Sequence, residues 1–441
     1  MRRIWAYLLA VLLAVCSCVN PLTQQEPDDD GGTYPEGAKV TINFTVAGER
    51  LPSTKAQDLG ENQALDNLYL AVFGSSGYLK EYVEATPGGP TGEYYSFTSP
   101  KDNPTDPDVT IDVPIYSFSA KLTLTDSPRI IHFVGNSPKS TLSFGYADAV
   151  LSPLLSSSGK GAFWQMMHID GIHAKQYEGV ASYEDDHGNT VEQGDYIDIS
   201  GNKIINGEGY VVAPATQAQF GMIPLVRNWA KLVVEADTAI PQGGTEPNDP
   251  YFEPISYAIV HVPDRGTIAP HSSATNGFIE NYQNKTYNDI VQMNYPANLP
   301  PDTQIDESIP DIADFKYWDP EESVYEHGDP AEVLPDGGWR NGVAPANRPG
   351  YSKGAVYLYE RPVPSDQLPP TFVIIYGKYL PEDTSDPHYG QKCFYKVDLM
   401  TEHKYYPIYR NFQYRILIHS ILSFGQIEIG RAVQQECRDR S

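Results

Sequence analysis

KVTINFTVA, Lys39–Ala47, sets apolar Val40, Ile42, Phe44 and Val46 against polar Lys39, Thr41, Asn43 and Thr45, a period of two along the whole segment. Successive side chains of an extended chain point to opposite faces, so this pattern describes a strand with one buried and one solvated side. Working outward, further strand-length apolar segments recur between turn residues. LYLAVF at 68–73 is closed by Gly74-Ser75-Ser76-Gly77, and 109–113, 121–124 and 130–134 follow. Residues 196–199, 210–212, 232–235 and 257–262 resume the pattern, and 356–359, 372–376, 394–399 and 414–422 close it. Residues 147–155 and 162–167 are less regular, and a helix is admissible for either. No segment carries a long, capped helical stripe. The 31 Tyr, 36 Gly and 37 Pro fit pleated, half-buried surfaces joined by turns, which points to antiparallel all-β structure.

At 441 residues the chain exceeds one typical hydrophobic core, and two or three domains are expected. A boundary near 214–224 divides it into comparable halves. From 284 to 350 regular patterning nearly vanishes in favour of Pro, Asp, Glu and Gly, a stretch far longer than an ordinary inter-strand loop.

The N-terminus reads as an export signal. Arg2 and Arg3 supply positive charge, and residues 4–15 form an apolar run of about twelve, too short to span a bilayer. Val15-Cys16-Ser17-Cys18 resembles the bacterial lipobox, with cleavage between Ser17 and Cys18 and acylation of Cys18; an ordinary cleaved signal is the alternative. Residues 19–38 follow as a disordered acidic tether, with Glu26 and Asp28-Asp29-Asp30 repelling one another. Such tethers resemble the surface-export signals of Bacteroidetes lipoproteins, so an outer-membrane, surface-exposed location is expected. Acyl chains anchor through buried methylenes and need no spanning helix.

The net charge is −26, and about −28 once Arg2 and Arg3 leave with the signal. A protein so acidic is a poor partner for nucleic acid and for anionic membrane surfaces. Beyond the signal only Cys393 and Cys437 remain, and their pairing is open. GxSxG, HExxH, GxxxxGK[ST] and GxGxxG are all absent, so no catalytic residue or cofactor is assigned and the chain is not read as an enzyme. The five-residue spacing of His168 and His173, with His187 nearby, suits neither one helix face nor one strand face, and no metal site is assigned. Glu184, Asp185, Asp186 and Asn189 around Gly188 lack the closing glutamate of a twelve-residue calcium loop and read as a hairpin turn.

Several segments, taken in order, resemble the fimbrillins, the two-domain pilus proteins of Bacteroidetes. They are DNLYLAVFGSSGYLKEY from Asp66, RIIHFVGN from Arg129, PLVRNWAKLVV from Pro224, YAIVHVPDRGTIAP from Tyr257, VYLYERP from Val356, FVIIYGKY from Phe372 and YYPIYRNFQYRILIHSILSFG from Tyr405. The element Pro407, Arg410, Asn411, Tyr414 carries the most weight. The resemblance implies two tandem transthyretin-like, Greek-key β-sandwiches, at 39–220 and 221–425, the second with the 284–350 insertion, then a tail at 426–441. It also implies a lipoprotein precursor that loses its first strand, here Val40, Ile42, Phe44 and Val46 with their neighbours, by cleavage after a basic residue. Arg50 fits that position best and Lys55 second; a solvated loop charge is the alternative for Arg50. The implied partners are other pilus subunits, joined by strand exchange. The tail RAVQQECRDRS is a poor β-donor: either it is truncated, or this subunit receives a strand without donating one, which favours a tip or accessory subunit. In the insertion, Tyr317, Trp318, Tyr325 and Trp339 could meet a receptor or glycan. A monomeric surface lipoprotein that captures glycans is the competing expectation.

Overall fold

The computed structural model describes residues 33–47, 65, 67–75, 77, 79–98, 110–136, 162–236, 251–263, 266, 268–269, 271–272, 277–278, 305, 310, 316–318, 325–327, 356–361, 368–381, 383–401, 404–405, 407–410, 413–418, 421 and 423–428. The first half contributes β1 (Lys39–Ala47), β2 (Leu68–Gly74), β3 (Leu79–Glu84), β4 (Thr86–Thr98), β5 (Thr110–Thr123), β6 (Arg129–Gly135) and β7 (Phe163–Ile169). The short pair β8 (Tyr183–Glu184) and β9 (Thr190–Val191), helix α1 (Pro214–Gln219), β10 (Met222–Pro224) and β11 (Val226–Arg227) follow. The second half contributes β12 (Trp229–Ala236), β13 (Tyr251–Val260), β14 (His271–Ser272), β15 (Gly277–Phe278), β16 (Lys316–Trp318), β17 (Tyr325–His327) and β18 (Val356–Tyr359). Then come β19 (Phe372–Leu380), β20 (Lys392–Asp398), β21 (Met400–Thr401), β22 (Lys404–Tyr405) and β23 (Gln413–Ile418).

The architecture is all-β, as the alternation and turn composition imply. A four-stranded sheet, β10-β1-β5-β4, faces a five-stranded sheet, β11-β7-β6-β2-β3, across a core that includes Val40, Ile42, Phe44 and Val46 from the first and Leu68, Leu70, Ile131 and Phe133 from the second. In the second half a three-stranded sheet, β18-β12-β23, faces a five-stranded one, β17-β16-β13-β19-β20, over Leu232, Val234, Leu358, Val373 and Ile375. Residues 222–227 link the two sheets of the first half: β10 pairs with β1 and β11 with β7, only Leu225 intervening.

The middle of the five-stranded sheet of the first half, around β2 and β6, is buried on both faces. Phe73, Val134 and Trp164 point away from the first core and pack with Ile268 and Ala269 of the second half. That contact is held from behind. Arg410, fully buried, directs one guanidinium nitrogen at the Ile268 carbonyl and another at that of Ala269, 3.3 Å away, while its Nε donates to Glu360 over 2.7 Å.

Several sequence expectations need correction. Residues 196–199 and 210–212, expected as strands, make only isolated bridges, at Tyr196, Ile197 and Val212. Of residues 162–167, for which sequence admits a helix, Phe163 onward lie in β7, because an apolar run buried on both faces shows no period. Residues 110–113 and 121–123, expected in separate segments, belong to one strand, β5, which continues through Pro114 just beyond its last pair with β1, Ala47–Ile115. Thr86–Thr98, unassigned from sequence, is β4; its register slips at Pro87/Gly89 and Pro90/Tyr94, where Gly89 (φ 93°) and Gly92 (φ 78°) adopt left-handed backbone. The segment 147–155 lies outside the described residues.

Candidate functional site

β1 lies inside its sheet, antiparallel to β5 over nine residue pairs and parallel to β10 at Thr45, Val46 and Ala47. Its inward side chains are almost wholly removed from water: Val40 1%, Ile42 0%, Phe44 4% and Val46 0% exposed. Phe44 is the centre of an aromatic group, with ring centroids 5.6 Å from Phe133 and 6.2 Å from both Phe118 and Phe220. At about 1.5–3 kcal/mol for each buried apolar side chain, these four contribute on the order of 10 kcal/mol. That is comparable to the net stability of a whole domain.

The opposite edge of β1 is covered piecemeal. Thr45 N–H donates to the Gly221 carbonyl over 3.1 Å, and Leu225 N–H donates to Ala47 over 3.1 Å. Ahead of them, Asn43 N–H donates to Gln217 Oε1 over 3.3 Å, and Gln217 Nε2 donates back to the Asn43 carbonyl. Among the described residues no strand flanks that edge from Lys39 to Asn43. At the start of β1, Lys39 Nζ lies 3.2 Å from Glu81, whose carboxylate also accepts the Thr123 N–H and hydroxyl, each over 2.9 Å. One carboxylate of the facing sheet thus fastens β1 and β5 together.

The four β1 side chains named from sequence, Val40, Ile42, Phe44 and Val46, lie together in the first core. Ser17, Cys18, Arg50, Lys55 and Trp339 lie outside the described residues. Tyr317, Trp318 and Tyr325 fall on β16 and β17, which pair with each other while β16 pairs with β13, so part of the 284–350 stretch extends a sheet. Cys393 is a free, fully buried thiol, and Cys437 lies outside the described residues.

His168 is exposed on β7, His173 pairs with Asp126 at 3.3 Å, and His187 sits in the β8–β9 turn. Among the described residues no three His, Cys, Asp or Glu side chains converge as metal ligands. Asp185 organises the hairpin turn read from sequence: it accepts the His187 N–H, the Asn189 N–H and side-chain amide, and the Lys203 N–H. Burial raises its pKa, but those donors outweigh burial and hold it down at about 2. In the element at 407–414, Tyr414 Oη donates to the Pro407 carbonyl over 2.8 Å and accepts the Tyr409 N–H over 2.9 Å, which fixes the loop that carries Arg410. Asn411 lies outside the described residues.

Sequence reading missed the contacts that Gln217, Glu81 and Tyr34 make around β1. Their contacts with β1 or the chain around it span 42 to 174 residues, and no local pattern encodes them.

No family model matches the chain, and no curated protein matches it. Solved structures do. A candidate cell-adhesion protein from Parabacteroides distasonis is similar at TM-score 0.40 and 14% identity, over 88% of this chain and 94% of the other. The tip fimbrial protein Mfa3 from Porphyromonas gingivalis, truncated at its C-terminus, is similar at TM-score 0.33 and 11% identity, over 85% and 94%. Candidate polysaccharide-binding proteins from Bacteroides thetaiotaomicron are similar at TM-score 0.28 and 9% identity, over 81% and 80%.

Proposed function

We propose that the protein is an adhesive subunit of a cell-surface fimbria, anchored as a precursor through acylated Cys18, in which β1 is a replaceable strand. Cleavage after Arg50 frees the segment that ends in β1, and a strand from another subunit then fills the groove. In this reading the subunit stands at the tip or in an accessory position and has no catalytic role.

The observation that carries this reading is the position of β1 in the sequence and in the sheet together. Among the described residues β1 is the first strand, so a single cut after it frees it without interrupting any later described element. Yet it lies between β5 and β10 and fills the middle of the first core. Its removal leaves a row of unpaired N–H and C=O groups on β5 and an apolar trench beside Phe118, Phe133 and Phe220, both costly in water. Only another extended segment restores the ladder and the packing together, so subunit assembly becomes a folding step between chains.

The test is electrophoresis of surface material in detergent without boiling. A ladder of detergent-resistant oligomers is expected. A monomer whose migration is retarded by carbohydrate in the gel would instead establish the glycan-capturing lipoprotein.

A further inference from the structure

The groove continues past the first residue of β1. Gly37 (φ 73°) turns the preceding chain, with Ala38 N–H donating to Pro35, and delivers Tyr34 to a pocket made by the loops after β7. There the Tyr34 ring lies 5.1 Å from Tyr196 and 6.2 Å edge-on from Tyr210, which themselves meet at 5.5 Å. Its hydroxyl accepts the Ala174 N–H over 3.2 Å. Pro35 packs against Gly207, where an added Cβ would come within 3.3 Å of the proline ring. Beside the pocket, Asp126 accepts the Thr33 N–H at 3.2 Å and hydroxyl at 2.6 Å, and is itself paired with His173.

This pocket differs from those beneath β1. The positions under Val40, Ile42 and Val46 accept any apolar side chain of suitable size, because dispersion and burial are not directional. The Tyr34 pocket demands a flat ring, an acceptor at its far end and a tight turn three residues later. Resting on the strand-replacement reading above, we propose that the Tyr34 socket is the specificity-determining end of the groove. The partner subunit's segment that fills it carries an aromatic residue six positions before the first of its alternating apolar side chains, with glycine or another turn former midway. A strand with the right alternation but no such aromatic occupies the groove and leaves the socket empty.

The test uses the full chain with a specific-protease site placed after Arg50, cut while folded, then unfolded and refolded with an excess of equimolar, mass-tagged peptides. These are residues 33–47, residues 39–47, and 33–47 carrying Tyr34→Ala or Tyr34→Phe. Native mass spectrometry reads which peptide occupies the groove. The 33–47 peptide is expected to outcompete both 39–47 and the Tyr34→Ala form by about thirtyfold, roughly 2 kcal/mol, and Tyr34→Phe by no more than about fivefold. Equal occupancy by all four overturns the socket while leaving strand replacement intact. Refolding with no peptide bound overturns strand replacement, and the socket with it. Should the cut chain not refold, the urea concentration that releases the nicked N-terminal fragment decides. A clear fall for Tyr34→Ala and little change for Tyr34→Phe supports the socket, and equal midpoints overturn it.

Discussion

Gln217 offers its carboxamide to the main chain of Asn43 as a neighbouring strand would, accepting the N–H on Oε1 and donating to the carbonyl from Nε2. One side chain from α1 thereby continues the edge cover that β10 begins at Thr45. Gln217→Ala is expected to lower stability by about 1 kcal/mol, the worth of an exposed hydrogen-bonded pair. It should also raise amide exchange at Asn43 more than at Ile42, whose place in the ladder with β5 is unchanged. Urea unfolding and amide exchange check both. Unaltered protection at Asn43 would show that the carboxamide does not act as a strand neighbour.

Phe44 stands at the centre of the first core, ringed by Phe118, Phe133 and Phe220. Phe44→Ala removes that centre and is expected to cost about 3–5 kcal/mol. Thr41→Ala, on the solvated face of the same strand, should fall within about 0.5 kcal/mol of the parent. A comparable loss at both positions would contradict the inward and outward assignment of β1.

Glu360 and Arg410 form a buried ion pair behind the contact between the two halves. Arg410→Ala removes the guanidinium that pairs with the buried Glu360 carboxylate and withdraws a donor from Ile268 and Ala269, so a loss of about 3–5 kcal/mol is expected in chemical denaturation. Arg410→Lys should recover little of it, since an ammonium cannot reach the carboxylate and both carbonyls with the guanidinium's fork. Full recovery by lysine would reduce the arginine to a point charge.

Two carboxylates make the segment after β7 acid-sensitive. Asp126 is held below its ordinary pKa of 3.8, chiefly by the Thr33 hydroxyl, and Asp185 is held at about 2 by backbone and side-chain donors that outweigh burial. A depressed folded-state pKa gives stability that is full above the unfolded value and lost as pH falls through the folded one. Order in residues 183–203 should therefore persist down to about pH 4 and be lost between there and about pH 2. Asp185→Asn should weaken the segment at neutral pH and flatten that dependence. Amide exchange of Asn189 and Lys203 across pH 2–5 measures it, and a flat profile in the parent would contradict the assignment.

Burial raises the pKa of the Cys393 thiol above its ordinary value of 9.0 and keeps it from solvent. Alkylation under native conditions should leave Cys393 unmodified, with quantitative labelling only in denaturant. Peptide mapping after iodoacetamide reads this directly. Rapid native labelling would place the thiol at the surface.

How legible each strand is in the sequence follows from how many of its faces are buried. β1 has one wet face, so its alternation is visible in nine letters. LYLAVF announces a strand through its flanking turn, although both faces of β2 are covered, one by the first core and the other by the contact with Ile268 and Ala269. AFWQMM has the same double burial without turn signals, and its period is lost. β4 hides behind Gly88-Gly89-Pro90, residues that serve bulges there instead of a loop. The four pockets under β1 could be inferred because they belong to one strand. Gln217, Glu81 and the Tyr34 socket could not, because distant segments assemble them only once the sheets have formed.

Terminal mass analysis of this subunit taken from assembled surface fibres tests most directly whether the first strand is given up. A chain that begins downstream of Ala47, at Leu51, is the expected result; assembled subunits still beginning at an acylated Cys18, with β1 attached, would contradict strand replacement.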